Sequence, residues 1–208
     1  MMTPKIPEIP RRVLRHIDLI VIHCSGTSSG QSINQDNKNA AQVIDDWHRQ
    51  RGFKRVQSAR ALFNPTLTSI GYHYVIDLDG SILTGRHLGE MGAHAQGFNL
   101  ASIGICLIGG KEREAKYTLQ QWTALSALLN ALTTRFSIPY KLPQREGDKS
   151  IHGGICGHRD LSPDRNGNGL IEPFEWTKTC PGFSVQTWLH SYKGTGAFIG
   201  HIYTGALR

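Results

Sequence analysis

Ile17-Asp18-Leu19-Ile20-Val21-Ile22-His23 is the stretch whose reading decides the fold. Its apolar, mostly β-branched run has the length of a strand. Its near-continuous hydrophobicity is that of a strand covered on both faces, as in a sheet with layers above and below it. His23 stands where the strand ends, and Cys24-Ser25-Gly26-Thr27 turns the chain. A strand end holds a side chain rigidly while the following loop leaves it open. Working outward, Ser102–Ile108 reads as a second central strand. Gly71–Leu78 alternates as a third, and Asp79-Gly80 is a hairpin signal returning through Ser81–Thr84. Ala40, Val43, Ile44 and Trp47 fall at helical spacing, and Gly52 ends that helix. Thr118-Leu119-Gln120-Gln121 opens another with a capping box, and its stripe from Trp122 to Phe136 is core. Ser184 starts a short last helix. Strands and helices alternate, so the expectation is one α/β domain: a mixed central sheet flanked by helices.

The chain has 208 residues, 39% hydrophobic and 19% charged, with a net charge of +7. That is a globular composition, long enough for a sizeable core. The positive balance suits an anionic partner, but no basic run with interleaved aromatics marks a nucleic-acid groove, so no nucleic acid is expected. No stretch has the length of a membrane span. Four cysteines are too few for a disulfide framework, and reduced thiols are expected. Met1–Pro7 carries prolines and charges where a signal peptide needs an apolar segment. Synthesis in the cytoplasm without a signal peptide is therefore expected. Residues 1–16 read as an extended, Pro-rich basic arm, 17–193 as the domain, and 194–208 as an unassigned tail, open to a role in targeting or oligomer contact. A monomer is expected.

Chemistry concentrates between Cys156-Gly157-His158-Arg159-Asp160 and Lys178-Thr179-Cys180-Pro181. Imidazole and thiolate are favoured zinc ligands, and a catalytic zinc usually takes three protein ligands. His158 and Cys180 could supply two and His23 the third. On spacing alone an ordinary surface histidine and a small buried cysteine explain the pair equally well, since the 21 residues between them match no local zinc-finger pattern.

Asp164-Arg165-Asn166-Gly167-Asn168-Gly169-Leu170-Ile171-Glu172-Pro173-Phe174-Glu175 fits a twelve-residue calcium loop. Asp164, Asn166, Asn168, Glu172 and Glu175 stand at ligand positions, Leu170 offers its carbonyl, and Gly169 takes the turn. A double Asn-Gly turn also explains both glycines. A structural calcium there is expected to staple the segment carrying Lys178 and Cys180, with modest affinity because two ligands are neutral.

The order of motifs resembles a known family. His23-Cys24-Ser25 after a strand, Gly71-Tyr72-His73-Tyr74, Gly92-Ala93-His94-Ala95 with Asn99 and Ser102-Ile103-Gly104-Ile105, Gly157-His158-Arg159-Asp160, and Lys178-Thr179-Cys180-Pro181-Gly182-Phe183 are similar to those of the type 2 N-acetylmuramoyl-L-alanine amidases. That family includes phage endolysins and animal peptidoglycan recognition proteins, and the likeness runs from about Ile17 to Trp188. It implies a single catalytic zinc on His23, His158 and Cys180 in a surface cleft, with Tyr72 and Lys178 as the catalytic pair. It implies hydrolysis of the amide between N-acetylmuramic acid and L-alanine in peptidoglycan, as an endolysin or a wall-degrading effector. It implies action on the wall after holin-type release or delivery by a secretion machine, with any immunity or inhibitor protein unidentified. A module that binds muropeptide without cutting it is the alternative, and Cys180, which non-catalytic relatives typically lack, counts against it. His94 and Asn99 are read as substrate contacts on the cleft rim, against a structural role in their loop. His73 faces away from Tyr72 and reads as a satisfied core histidine. The chain departs from the shortest family members at 53–70 and between His158 and Lys178.

Overall fold

Strand β1, Leu19–Cys24, is buried along nearly its whole length and lies second from one edge of a five-stranded sheet. The computed structural model describes residues 4–192 and 201–207. β1 pairs in parallel with β4, Ser102–Leu107, on one side and with β7, Gly154–Gly157, on the other. Beyond β4 come β2, Tyr74–Ile76, parallel to it, and β3, Ile82–Thr84, antiparallel at the edge. The order is β3-β2-β4-β1-β7, a mixed sheet as the sequence predicts.

Side chains alternate across this sheet. Ile20, Ile22, Ile103, Ile105 and Ile155 point to one face, where α3 (Leu119–Phe136) and α4 (Val185–Tyr192) bury Trp122, Leu125, Leu129 and Trp188 against them. The capping box expected at Thr118 is present, with Gln121 reciprocating. On the other face α1, Ala40–Gln50, covers Val75 and Cys106 with Ala40, Ala41 and Ile44. Leu19, Val21 and Cys156 lie on that same face under Phe98 and Leu161. All four cysteines are free thiols. No helix among the described residues is long and apolar enough to cross a membrane.

Several segments without an assigned role in the sequence prove to be built in. The arm has no regular element over 4–16, but Ile6, Ile9 and Val13 pack on the core. Arg15 donates to the carbonyls of Leu88, Leu100 and Ser102. Segment 53–70 contains α2, Gln57–Leu62, and the buried Arg55, whose guanidinium pairs with Glu90 at 2.8 Å. The polar connection 139–150 holds β5, Gln144–Arg145, which pairs with β6, Ile151–His152. Of the tail, 194–200 lie outside the described residues, and Ile202 bridges to Tyr117. The strand expected over Gly71–Leu78 is shorter: at its ends the Gly71 N–H donates to His48 Nδ1 and the Leu78 N–H to Asp77 Oδ1 instead of to a neighbouring strand.

Candidate metal centre and its cleft

Register brings the first two candidate ligands together. Ile22 of β1 lies opposite Gly157 of β7, so the next residues, His23 and His158, emerge side by side. Their rings are 4.6 Å apart. His23 shares the sheet face of Leu19 and Val21, and the short 3-10 turn His158–Leu161 follows β7 directly. Gly157 has to be a glycine, since a Cβ there would meet Pro181 at 2.6 Å. That close approach lets the Cys180–Pro181 segment lie against β7, with the Arg159 N–H donating to the Cys180 carbonyl at 2.9 Å. Cys180 thus arrives at the two histidines from more than twenty residues away.

The ligand atoms of His23, His158 and Cys180 lie within 4.8 Å of one another, and no other group of three or more His, Cys, Asp or Glu gathers in this way among the described residues. That separation is close to the span of two zinc bonds of about 2.0–2.3 Å each. The chemistry of the set fits zinc. Burial, then the neighbouring His94, His158 and His48, hold His23 well below the usual histidine range. Burial and the Lys178 charge lower His158 to about 4. Both imidazoles are therefore neutral at pH 7, the form that ligates. Burial and the adjoining Cys24 push the Cys180 thiol well up, so a thiolate there needs a cation beside it. The Cys24 N–H donates to that sulfur at 3.1 Å, a bond that favours negative charge on it.

His158 opens onto a cleft of about 450 Å³, lined also by Phe53, His94, Asn99, Leu161 and Lys178 among others. Lys178 is exposed on its wall. Tyr72 has its ring 5.1 Å from that of His23, and burial raises its phenol well above the ordinary value, so it keeps its proton. Its place is set by α1. Asp45 accepts from the amides of Ser69 and Ile70 at 2.6 and 2.7 Å, and His48 Nδ1 accepts from Gly71 N–H at 2.8 Å. These two helix residues hold the turn from which Tyr72 projects. Neither carries a signal in the sequence, where they read as ordinary members of an amphipathic helix.

His94 lines the cleft and also shares a 3.0 Å hydrogen bond with His23, Nδ1 to Nε2. Gly104 on β4 makes the room for it: a Cβ there would stand 2.5 Å from the His94 ring. Asn99 Oδ1 accepts from the amides of His94 and Ala95 at 2.8 and 2.9 Å and so shapes the loop as well as reaching the cleft. His73 is fully buried, its Nδ1 accepting from Gly104 N–H, the satisfied core histidine the sequence suggests.

The 164–175 loop is built otherwise. Asp164 accepts from the amides of Gly167 and Gly169. Buried Glu175 accepts from those of Arg165, Asn166 and Glu172. The side-chain oxygens of Asn166 and Asn168 accept from Asn168 and Leu170, and Glu172 accepts from both asparagine amides. The oxygens expected to converge on calcium are bonded to the loop itself, and its acidic side chains form no metal-holding group. Nothing in the structure supports calcium here. The loop is joined at its base, where Thr177 N–H donates to Ser162 Oγ at 3.0 Å.

Two parallel strands thus end at a His, His, Cys group, with a half-buried tyrosine and an exposed lysine close by. The family model described as N-acetylmuramoyl-L-alanine amidase matches residues 13–183, and the chain belongs to that family. The chain is 28% identical to the endolysin of Enterobacteria phage K11 over 172 residues, covering 81% of this chain and 82% of that protein. It is 27% identical to the endolysin of Escherichia phage T7, covering 82% and 84%. Among solved structures, the endolysin N-acetylmuramoyl-L-alanine amidase LysCS from Clostridium intestinale aligns with a TM-score of 0.51 at 26% identity, over 82% of this chain and 78% of that one. Drosophila PGRP-LB shares the fold, with a TM-score of 0.53 at 21% identity over 95% and 93%.

Proposed function

We propose that the protein is a zinc-dependent amidase that cleaves the bond between the lactyl group of N-acetylmuramic acid and L-alanine in peptidoglycan. The gathering of His23, His158 and Cys180 within 4.8 Å, with His158 in the wall of a cleft that also holds Lys178, carries this reading. Zinc bound by these residues would polarise the scissile carbonyl and acidify a water, which is what an unactivated amide needs at neutral pH. Tyr72 keeps its phenolic proton and can donate a hydrogen bond to the oxygen that gains charge in the transition state. Lys178 brings a full positive charge to the same region. His94, bonded to His23, orients that imidazole from behind, while Ala95, Phe98 and Asn99 wall the part of the cleft where glycan or stem peptide would lie.

The phage endolysin relatives favour action on the cell wall, reached by release or by delivery from the cytoplasm. A mutant of Drosophila PGRP-LB has been solved in complex with tracheal cytotoxin, and a muropeptide is the ligand expected here. Metal content by mass spectrometry, paired with digestion of purified sacculi before and after chelation, tests the proposal. One zinc per chain and free stem peptides that vanish with chelator are the expected result. Bound zinc with no released peptide would make the chain a muropeptide-binding module, and absence of zinc under metal-replete conditions would overturn the centre itself.

A further inference from the structure

The turn that carries Cys180 has each of its carbonyls held. The Thr179 carbonyl accepts from Gly182 N–H and the Cys180 carbonyl from Arg159 N–H, both at 2.9 Å. The other two are taken by a segment that is neither helix nor sheet strand. Tyr117 donates its hydroxyl to the Pro181 carbonyl at 2.5 Å, and Ala115 donates its N–H to the Gly182 carbonyl at 2.9 Å. The two segments meet closely: a Cβ at Gly182, whose φ is +81°, would stand 2.6 Å from the Ala115 Cβ. The Tyr117 ring is fully buried against Trp122 and Phe183, which fixes the place of its hydroxyl.

Residues 115–117 are held in turn by the C-terminal tail. The His201 carbonyl accepts from Tyr117 N–H at 2.8 Å and from the Trp122 indole N–H at 3.2 Å. His201 Nδ1 lies 2.6 Å from the Ala115 carbonyl and must carry the proton there, since a carbonyl only accepts. The Tyr203 N–H donates to the Tyr117 carbonyl at 2.8 Å, so Tyr117 and Ile202 form a parallel bridge, with Ile202 packed on the core. Tyr203 itself is seated on Gly30, where a Cβ would come within 2.1 Å of its ring. Bonds thus run without a break from the tail through Tyr117 to the residue beside Cys180.

We propose that Tyr117 is a positioning residue for the Cys180 ligand, and that the tail, through His201 and Tyr203, holds Tyr117 in place. This rests on the zinc reading above and extends it to residues past 183, where the match to the family ends. His23 and His158 stand at the ends of paired strands, so the sheet fixes them. Cys180 stands in a turn, whose place depends on the bonds just described. A ligand held where the metal needs it loses little order on binding, and the partners that hold it govern how tightly the metal stays.

The test uses the full chain loaded with zinc as wild type, Tyr117→Phe, His201→Ala and the double variant. Zinc release into excess chelator is followed at a temperature where all four are folded. Tyr117→Phe keeps the ring and loses the hydroxyl, and release is expected to be about tenfold faster, the low end for a group supporting a metal ligand. His201→Ala should quicken it about threefold, the worth of one hydrogen bond. The double variant should release no faster than Tyr117→Phe, because both changes act along one path. Zinc-free protein gives a second readout: alkylation of Cys180, read by peptide mass spectrometry, should speed up in the same order. A merely structural role would lower the denaturation midpoints and leave release and alkylation at wild-type rates, and that result would overturn the proposal. A double variant faster than Tyr117→Phe by the whole His201→Ala factor would cut the tail out of the path. Wild type that takes up no zinc would remove the centre and this role with it, whereas zinc held and released alike by all four proteins would overturn this role alone.

Discussion

Two parts of this molecule hold side chains of the kind that bind cations, and they are built in opposite ways. At the end of β1, three donors from distant positions converge, their ligand atoms within 4.8 Å of one another. In the 164–175 loop, more donors stand closer in sequence, yet Asp164 and Glu175 accept from five backbone amides between them. Ligand types at ligand spacing make a pattern. Lone pairs left free by the fold make a site. The group at β1 is the less committed of the two: the sheet holds its backbone, and its side chains carry only the Cys24 N–H on Cys180 and the His94 bond on His23.

The comparison is broken most sharply by removing one donor from the centre. Cys180→Ser or His23→Ala is expected to abolish zinc retention and peptide release together, read by metal analysis of the purified variant. Zinc retained at one per chain in either variant would mean the three residues are not the ligand set. Next in size is Tyr72→Phe, which deletes the donor but keeps the ring beside His23. Loss of an oxyanion donor costs roughly 10²–10³ in kcat, and zinc content should not change. Wild-type kcat in that variant would leave Tyr72 a packing residue.

In the loop the expected loss is of stability and not of metal. Glu175→Ala strips three amides of a buried acceptor and is expected to lower stability by about 2–4 kcal/mol in chemical denaturation. The loss should be the same in calcium and in chelator. A wild-type melting temperature that climbs with calcium, and does so only while Asp164 and Glu175 are present, would restore the ion to the loop.

The buried histidines that support the centre add a dependence on pH. His48 is lowered to about 4 and His73 to about 3 from 6.5, mainly by burial. The unfolded chain binds protons at these residues below pH 6.5 and the folded chain does not. Their contribution is therefore intact above pH 6.5 and is lost as pH falls toward 4, at up to about 1.4 kcal/mol per pH unit for each. Denaturation curves between pH 7 and 4.5 check this. A His48→Gln variant with an undiminished acid slope would remove His48 from the account.

Much of this was legible in the chain. The run Ile17–Ile22 had to be a covered strand, the capping box at Thr118 had to open a helix, and Asp79-Gly80 had to turn a hairpin, because each signal is local and repeated by its neighbours. The three ligands were legible as a set only through the order of the motifs around them. What stayed hidden depends on distant partners. Asp45 and His48 look like surface positions of an amphipathic helix until the Ser69–Gly71 amides are laid against them. Arg15 looks like part of a loose basic arm until three carbonyls surround its guanidinium. His94 and Asn99 were legible as cleft residues, but not the bond of one to His23 or of the other to its own loop.

Sequence by itself determined the elements and the mixed α/β sheet, since hydrophobic period and capping belong to each residue, and it supplied the candidate donors. Only the tertiary structure decided which donors gather closely enough that they could hold an ion. That choice depends on parallel register bringing His23 beside His158, on Gly157 letting Cys180 approach, and on the loop amides that occupy Asp164 and Glu175. Each is a contact between residues whose separation along the chain says nothing of their separation in space.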